Sequence, residues 1–240
     1  MSSSGGRVPS NFDLAGFLLA RMHPIDQNCM FTEVLPQNFM LPEKPVFAPY
    51  SQLKADGQLS YPDLSNYPLE STIIHFYLDD WRFESAWRSH IETIKRLRKY
   101  FAVIAPDFSI HYGAPLPPNL FNVYRNRLIT RHWQEFDLRV IYCVSWGWDD
   151  TFEYCFDGIP QDSILSIKSC GQFVQQELQQ AWMMGFQQLC ERLHPRQILC
   201  CNKLLPQAFD YIQQLDYSIS IVEFPSFWQA KRVDGCSIFI

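Results

Sequence analysis

From residue 70 onward, apolar residues fall into two alternating patterns. Thr72–Leu78 (TIIHFYL) is apolar at nearly every position, whereas Glu84–Tyr100 places Trp87, Ile91, Ile94 and Leu97 at helical spacing. The exchange then repeats. Phe101–Ala105, Arg139–Trp146, Ser163–Lys168, Gln197–Asn202 and Ser218–Phe224 read as strands. Asn119–Phe136, Phe173–Leu193 and Leu205–Leu215 read as helices between them, the second with Val174, Leu178, Trp182, Gly185, Leu189 and Leu193 on one stripe. Strands that are apolar throughout are buried on both faces. Helical connections between such strands are crossovers, and crossovers join parallel neighbours with a right-handed turn. The pattern predicts an α/β domain with a mostly parallel sheet of at least six strands. An irregular or incomplete TIM-like (β/α) barrel suits six crossovers that each leave a polar group at one rim; an open doubly wound sheet is the alternative. The terminal CSIFI offers one further strand.

The first 70 residues follow another logic. Residues 1–10 are polar and read as disordered, and Asn11–Met22 reads as a short helix. Six prolines then fall between Pro36 and Pro68, with Phe39, Phe47, Tyr50, Tyr61 and Tyr67 among them. Proline supplies no N–H to a ladder or a helix, so this stretch is expected to be extended loop. The expected organisation is therefore a helix and Pro-rich arm over 1–70 and an α/β domain over 71–240. The aromatic side chains leave two readings of the arm: one lying across its own domain, or one that binds a protein partner.

Composition narrows the function. With 47% hydrophobic and 19% charged residues the chain has ample material for a core, and its net charge of −5 argues against a broad basic field for duplex nucleic acid. The basic run Lys95–Tyr100 reads as the wet face of a helix. No apolar run reaches the roughly 18–20 residues of a membrane span. The N-terminal apolar patch is interrupted by Asp13 and has no cleavage signal, so the expected compartment is the cytoplasm. Eight cysteines include no C-x-x-C pair, and the spacing of Cys190, His194, Cys200 and Cys201 fits no common zinc site. They read as core thiols.

In parallel α/β folds the ligand site lies beyond the carboxyl ends of the strands. Those ends carry Asp79, Asp80 and Arg82; Asp107 and Ser109; Ser145 and Trp146; Ser169; Asn202 and Lys203; and Glu223. Asp79, Asp80 and Asp107 are the candidate catalytic residues. Together with Glu223 they are also the candidate ligands of a hard divalent cation, Mg or Mn, which prefers carboxylate oxygen. Arg82 and Arg125 have the planar fork that meets a phosphate or carboxylate, and Ser145, Trp146 and Asn202 complete a candidate substrate surface. The competing reading is structural: an aspartate at a strand end caps the following helix, and a histidine in mid-strand, such as His75, belongs to the core. His111, just after the second strand, is a further candidate base. No phosphate-binding loop, dinucleotide fingerprint, zinc-protease helix or nucleophile elbow is present in the chain.

Several of these pieces together resemble one family. HFYLDDWRFE, APDFSIHYGAPLP, NVYRNR, RVIYCVSWGW followed by CFDGIP, and LSIKSCG stand in the order of domain of unknown function 4417, over roughly Ile74 to Arg196. The chain departs from it after the fifth strand, where CCNK replaces a tyrosine–glycine. The resemblance implies a protein of bacteria, phages or plasmids and assigns no catalytic residue. Two functions follow as expectations: a metal-assisted hydrolase of a phosphoester or other anionic substrate, or a non-catalytic phage or plasmid accessory factor that binds a host or replication protein.

Overall fold

The computed structural model describes residues 30–60, 67–169 and 175–225. The expected N-terminal helix and the CSIFI strand lie outside them. Seven strands form one sheet in chain order, every neighbouring pair parallel. They are β1 (Val46–Pro49), β2 (Thr72–His75), β3 (Ala102–Ile104), β4 (Val140–Cys143), β5 (Ile164–Lys168), β6 (Gln197–Cys201) and β7 (Ser220–Phe224). The helices between them are α1 (Glu84–Arg88), α2 (His90–Leu97), α3 (Leu116–Glu135), α4 (Phe152–Cys155), α5 (Gln176–Leu193) and α6 (Pro206–Ile212). The sheet curls into a half-barrel. Its two edge strands meet through side chains, with Phe47 of β1 stacked on Phe224 of β7 at 4.0 Å between ring centroids.

Alternation divides each strand between the interior and the helix layer. Leu199, Cys201 and Phe224 pack in one core with Ile141, Cys143 and Ile164. Tyr142, Leu165, Ile198 and Cys200, each one position out of phase, pack in a second core with Trp182, Phe186 and Leu189 of α5. Burial on both faces is why the strands read as continuous apolar runs. Cys143, Cys155, Cys190, Cys200 and Cys201 are buried free thiols.

The Pro-rich arm differs from the all-loop expectation, because β1 lies within it. Pro45 precedes β1 and Pro49 is its last residue, and its four residues pair on one side as a sheet edge. An edge position tolerates the N–H that proline lacks. The segment before β1 runs against the body of the protein. Leu35 and the Gln134 side chain exchange two hydrogen bonds of 2.8 Å. Gln37 donates to Val140 and Ile164 carbonyls and accepts from Ile164 N–H. Tyr50 is buried and stacks on Phe76 at 4.5 Å, and Phe39 meets Phe101 edge-on at 6.2 Å. Buried aromatic area of this kind offsets the entropy of ordering a long connection.

No helix among the described residues is long and apolar enough to cross a membrane.

Candidate functional site

A cavity of about 280 Å³ opens over the carboxyl ends of β3 to β6. Asp107, Ser109, Ile110 and Tyr112 line it after β3, Val144, Ser145 and Trp146 after β4, Lys168 and Ser169 at β5, Asn202 after β6, and Trp182 from α5. Asp107 is the carboxylate of this wall. The Ser145 hydroxyl donates to its Oδ1 at 2.5 Å and the Cys143 thiol at 3.6 Å. Burial pushes the Asp107 carboxyl above its ordinary range and the Asp80 charge adds to this, against the Lys168 ammonium and the two donors that hold it down. Asn202 turns the chain into the cavity in the left-handed region at φ 71°, which asparagine tolerates, while its N–H donates to Phe224 O at 2.8 Å. Gly185 lets α5 pass close by: a Cβ there would lie 2.1 Å from Trp146 Nε1, which donates to Trp182 O.

The loop that carries Asp107 is clipped to α3 by a row of asparagines. Asn119 exchanges two hydrogen bonds with the His111 backbone, Asn122 donates to Ser109 O at 2.6 Å, and Asn126 donates to Pro106 O at 2.7 Å. Residues 119, 122 and 126 share one helix face. This row gives α3 a buried polar face that the apolar pattern does not reveal. Its only sequence signal is the N-x-x-N-x-x-x-N spacing. Arg127 beside it is buried, and its guanidinium bonds carbonyl and amide oxygens. It donates to Asp157 O (2.9 Å), Asn126 Oδ1 (2.5 Å) and Cys155 O (2.6 Å), and burial lowers its pKa to about 10.

The other expected residues lie apart from the cavity. Asp79 pairs with Arg82 at 3.2 Å on the exposed surface, where Arg82 also covers the Trp81 ring. Asp80 accepts from Ser109 N–H at 3.2 Å and Ser109 Oγ at 2.9 Å, and pairs with Arg125 at 3.5 Å. Neither aspartate caps α1, which starts after Phe83 with no side-chain cap. Arg125 is engaged by each of its three nitrogens, the third on Asp80. It bonds Glu84 at 3.0 Å and Asn122 at 3.0 Å, and lies 3.7 Å over the Phe108 ring. Glu223 accepts from Leu204 N–H at 2.8 Å. Asp79, Asp80, Asp107 and Glu223 therefore do not converge, and the described residues contain no group of three or more His, Cys, Asp or Glu placed to hold a metal ion. His75 is buried in the barrel interior, where burial lowers its pKa to about 3. Lys168 is the charged cavity residue that the strand-end reading passed over, with Ile110, Tyr112, Val144 and Trp182.

These contacts separate the neighbouring aspartates. Asp80→Ala removes the acceptor of three donors and is expected to cost about 1–3 kcal/mol. Asp79→Ala breaks an exposed pair and should stay within about 0.5 kcal/mol of the parent. Urea melts of the two variants measure the difference.

A curled parallel sheet with a polar cavity over its strand ends makes this an α/β half-barrel protein. The chain belongs to the family described as domain of unknown function (DUF4417), whose match covers residues 61–224. It is 34% identical over 159 residues to the Gene 1 protein of Mycobacterium phage L5, covering 66% of this chain and 67% of the phage protein. To the Gene 1 protein of Mycobacterium phage D29 it is 33% identical over 159 residues, covering 66% of this chain and 57% of that protein. No solved structure matches the chain.

Proposed function

We propose that the protein is an enzyme that hydrolyses a small anionic ester, most simply a phosphoester, in the cavity over β3 to β6. The observation that carries this reading is the placing of Asp107, its affinity for a proton raised by burial, in the same cavity as the Lys168 side chain. Lys168 is the cation for the substrate's anionic group. Asp107 takes the proton of the attacking water, with Ser145 holding the carboxylate in place. Ser109, Ser169 and Asn202 supply neutral hydrogen-bonding groups around the ester. Among the described residues the cavity lining holds one carboxylate, Asp107, which does not make a divalent-cation site; any metal would arrive on the substrate's own phosphate with its water, and Asp107 is assigned the proton and not the ion.

Thermal shift with inorganic phosphate tests the binding half, and release of p-nitrophenol from p-nitrophenyl phosphate with added Mg tests the chemistry. Phosphate at a hundredfold over its Kd is expected to stabilise the protein by about 2.7 kcal/mol. Lys168→Met should lose that shift. A full shift in Lys168→Met would place the anion elsewhere and overturn the assignment.

A second reading, a non-catalytic accessory factor that binds another protein, is favoured by the exposure of Trp81 (72%), Leu116 (53%) and Phe121 (51%). On that reading Trp81→Ala with Phe121→Ala removes function and Asp107→Asn does not.

A further inference from the structure

The interior of the half-barrel holds a chain of hydroxyl and thiol groups that ends on Asp107. The Ser166 hydroxyl donates to Leu199 O at 3.0 Å. Its single proton is thereby used, so in the 2.7 Å contact between Tyr77 and Ser166 the phenol is the donor. The Tyr77 oxygen is then free to accept. Cys143 Sγ lies 3.7 Å from it and 3.6 Å from Asp107 Oδ1. The thiol has one proton and two acceptors at nearly the same distance.

We propose that Cys143 is a positioning residue whose S–H proton turns between Asp107 and Tyr77 as Asp107 gains and loses its charge. With Asp107 ionised the thiol points to the carboxylate, because a charged acceptor forms the stronger hydrogen bond. With Asp107 protonated that advantage disappears, and the thiol completes the line Cys143 to Tyr77 to Ser166 to the Leu199 carbonyl. Each state of Asp107 thus leaves the buried thiol with an acceptor in the interior behind the cavity wall, and changing from one to the other requires only the rotation of one S–H bond. The thiol itself does not ionise: burial and the Asp107 charge beside it hold its pKa well above the ordinary value. The other charged or titratable groups around Asp107 are Lys168 on β5, Asp80 before α1 and Cys201 on β6. None of them stands between the same two acceptors. The inference rests on Asp107 being the acid–base group of the site, but its test does not require a substrate.

The test is a pH titration of the Asp107 side-chain carbon by NMR on ¹³C-aspartate-labelled protein, the resonance assigned by its absence in Asp107→Asn. Cys143→Ala takes a donor from the ionised form, so the Asp107 midpoint should move to higher pH. Tyr77→Phe takes the second acceptor from the protonated form, so the midpoint should move to lower pH. The double variant should follow Cys143→Ala, because Tyr77 acts through the thiol. A structural role alone does not produce opposite shifts. Shifts of the same sign, no shift, or a Tyr77→Phe effect that survives in the Cys143→Ala background would overturn the proposal. Infrared spectroscopy of the unaltered protein gives the same answer without substitutions in the interior: one S–H stretching band should move at the Asp107 midpoint and stay fixed in Asp107→Asn. If the titration behaves as expected and no ester is cleaved, the thiol device stands and the hydrolase reading fails.

Discussion

Asp107→Asn is expected to abolish turnover and yet to melt at a higher temperature than the parent at neutral pH. Loss of a general base lowers the rate by roughly 10²- to 10⁴-fold. The gain in stability comes from the same burial. The Asp107 carboxyl is raised in the folded protein, chiefly by desolvation, so the folded state holds the proton more tightly than the unfolded chain does. Above the folded pKa the buried charge therefore costs stability, and this cost disappears as pH falls through that value. Asparagine is neutral at all these pH values and keeps an oxygen to accept from Ser145. Each kcal/mol recovered raises Tm by roughly 2–4 °C in a chain of this size. The difference between variant and parent should be largest at pH 8 and should shrink as pH falls into the raised carboxylate range. Differential scanning calorimetry at several pH values, beside an ester-hydrolysis assay, measures both halves. A variant that is less stable at every pH would show that Asp107 is a structural acceptor first.

The largest loss of stability is expected from Arg127→Met. The guanidinium is buried and joins three elements: α3, which carries it, the Cys155 and Asp157 carbonyls at the end of α4, and Asn126, which holds the Pro106 carbonyl next to Asp107. Methionine fills much of the volume but leaves two buried carbonyls and an amide oxygen without a donor. Unsatisfied buried acceptors of charge-assisted bonds put the cost at about 2–4 kcal/mol, or a fall in Tm of roughly 5–15 °C. Arg127→Lys, which restores a charge but not the fork, should recover part of it. Because Asn126 loses its partner as well, activity should fall further than the melting temperature predicts. An unchanged melt for Arg127→Met would mean that the end of α4 is held by other contacts.

The six strands from β2 to β7 and the helices α2, α3, α5 and α6 were legible along the chain, because strands buried on both faces give continuous apolar runs and most helices show a 3.6-residue stripe; α4, four residues long, has no stripe to show, and the run 84–100 that reads as one helix is broken at Ser89 into α1 and α2. The rim was legible too. Asp107, Ser145, Trp146 and Asn202 come from different strand ends and meet in one cavity, as parallel strands with right-handed crossovers bring all their carboxyl ends to one side. What the chain does not carry is the phase of each strand. When both faces are apolar, nothing local says whether Ile164, Ser166 and Lys168 or Leu165 and Ile167 look inward, and a shift of one residue exchanges them. Curling of the sheet settles that choice and so decides that Lys168 enters the cavity. Charge pairing across the fold decides that Arg125 does not, since Glu84 and Asp80 take its guanidinium from 41 and 45 residues away. β1 was hidden for a related reason. Three residues between two prolines have no periodicity to show, and only the open edge of β2, a partner distant in sequence, makes Val46–Pro49 a strand.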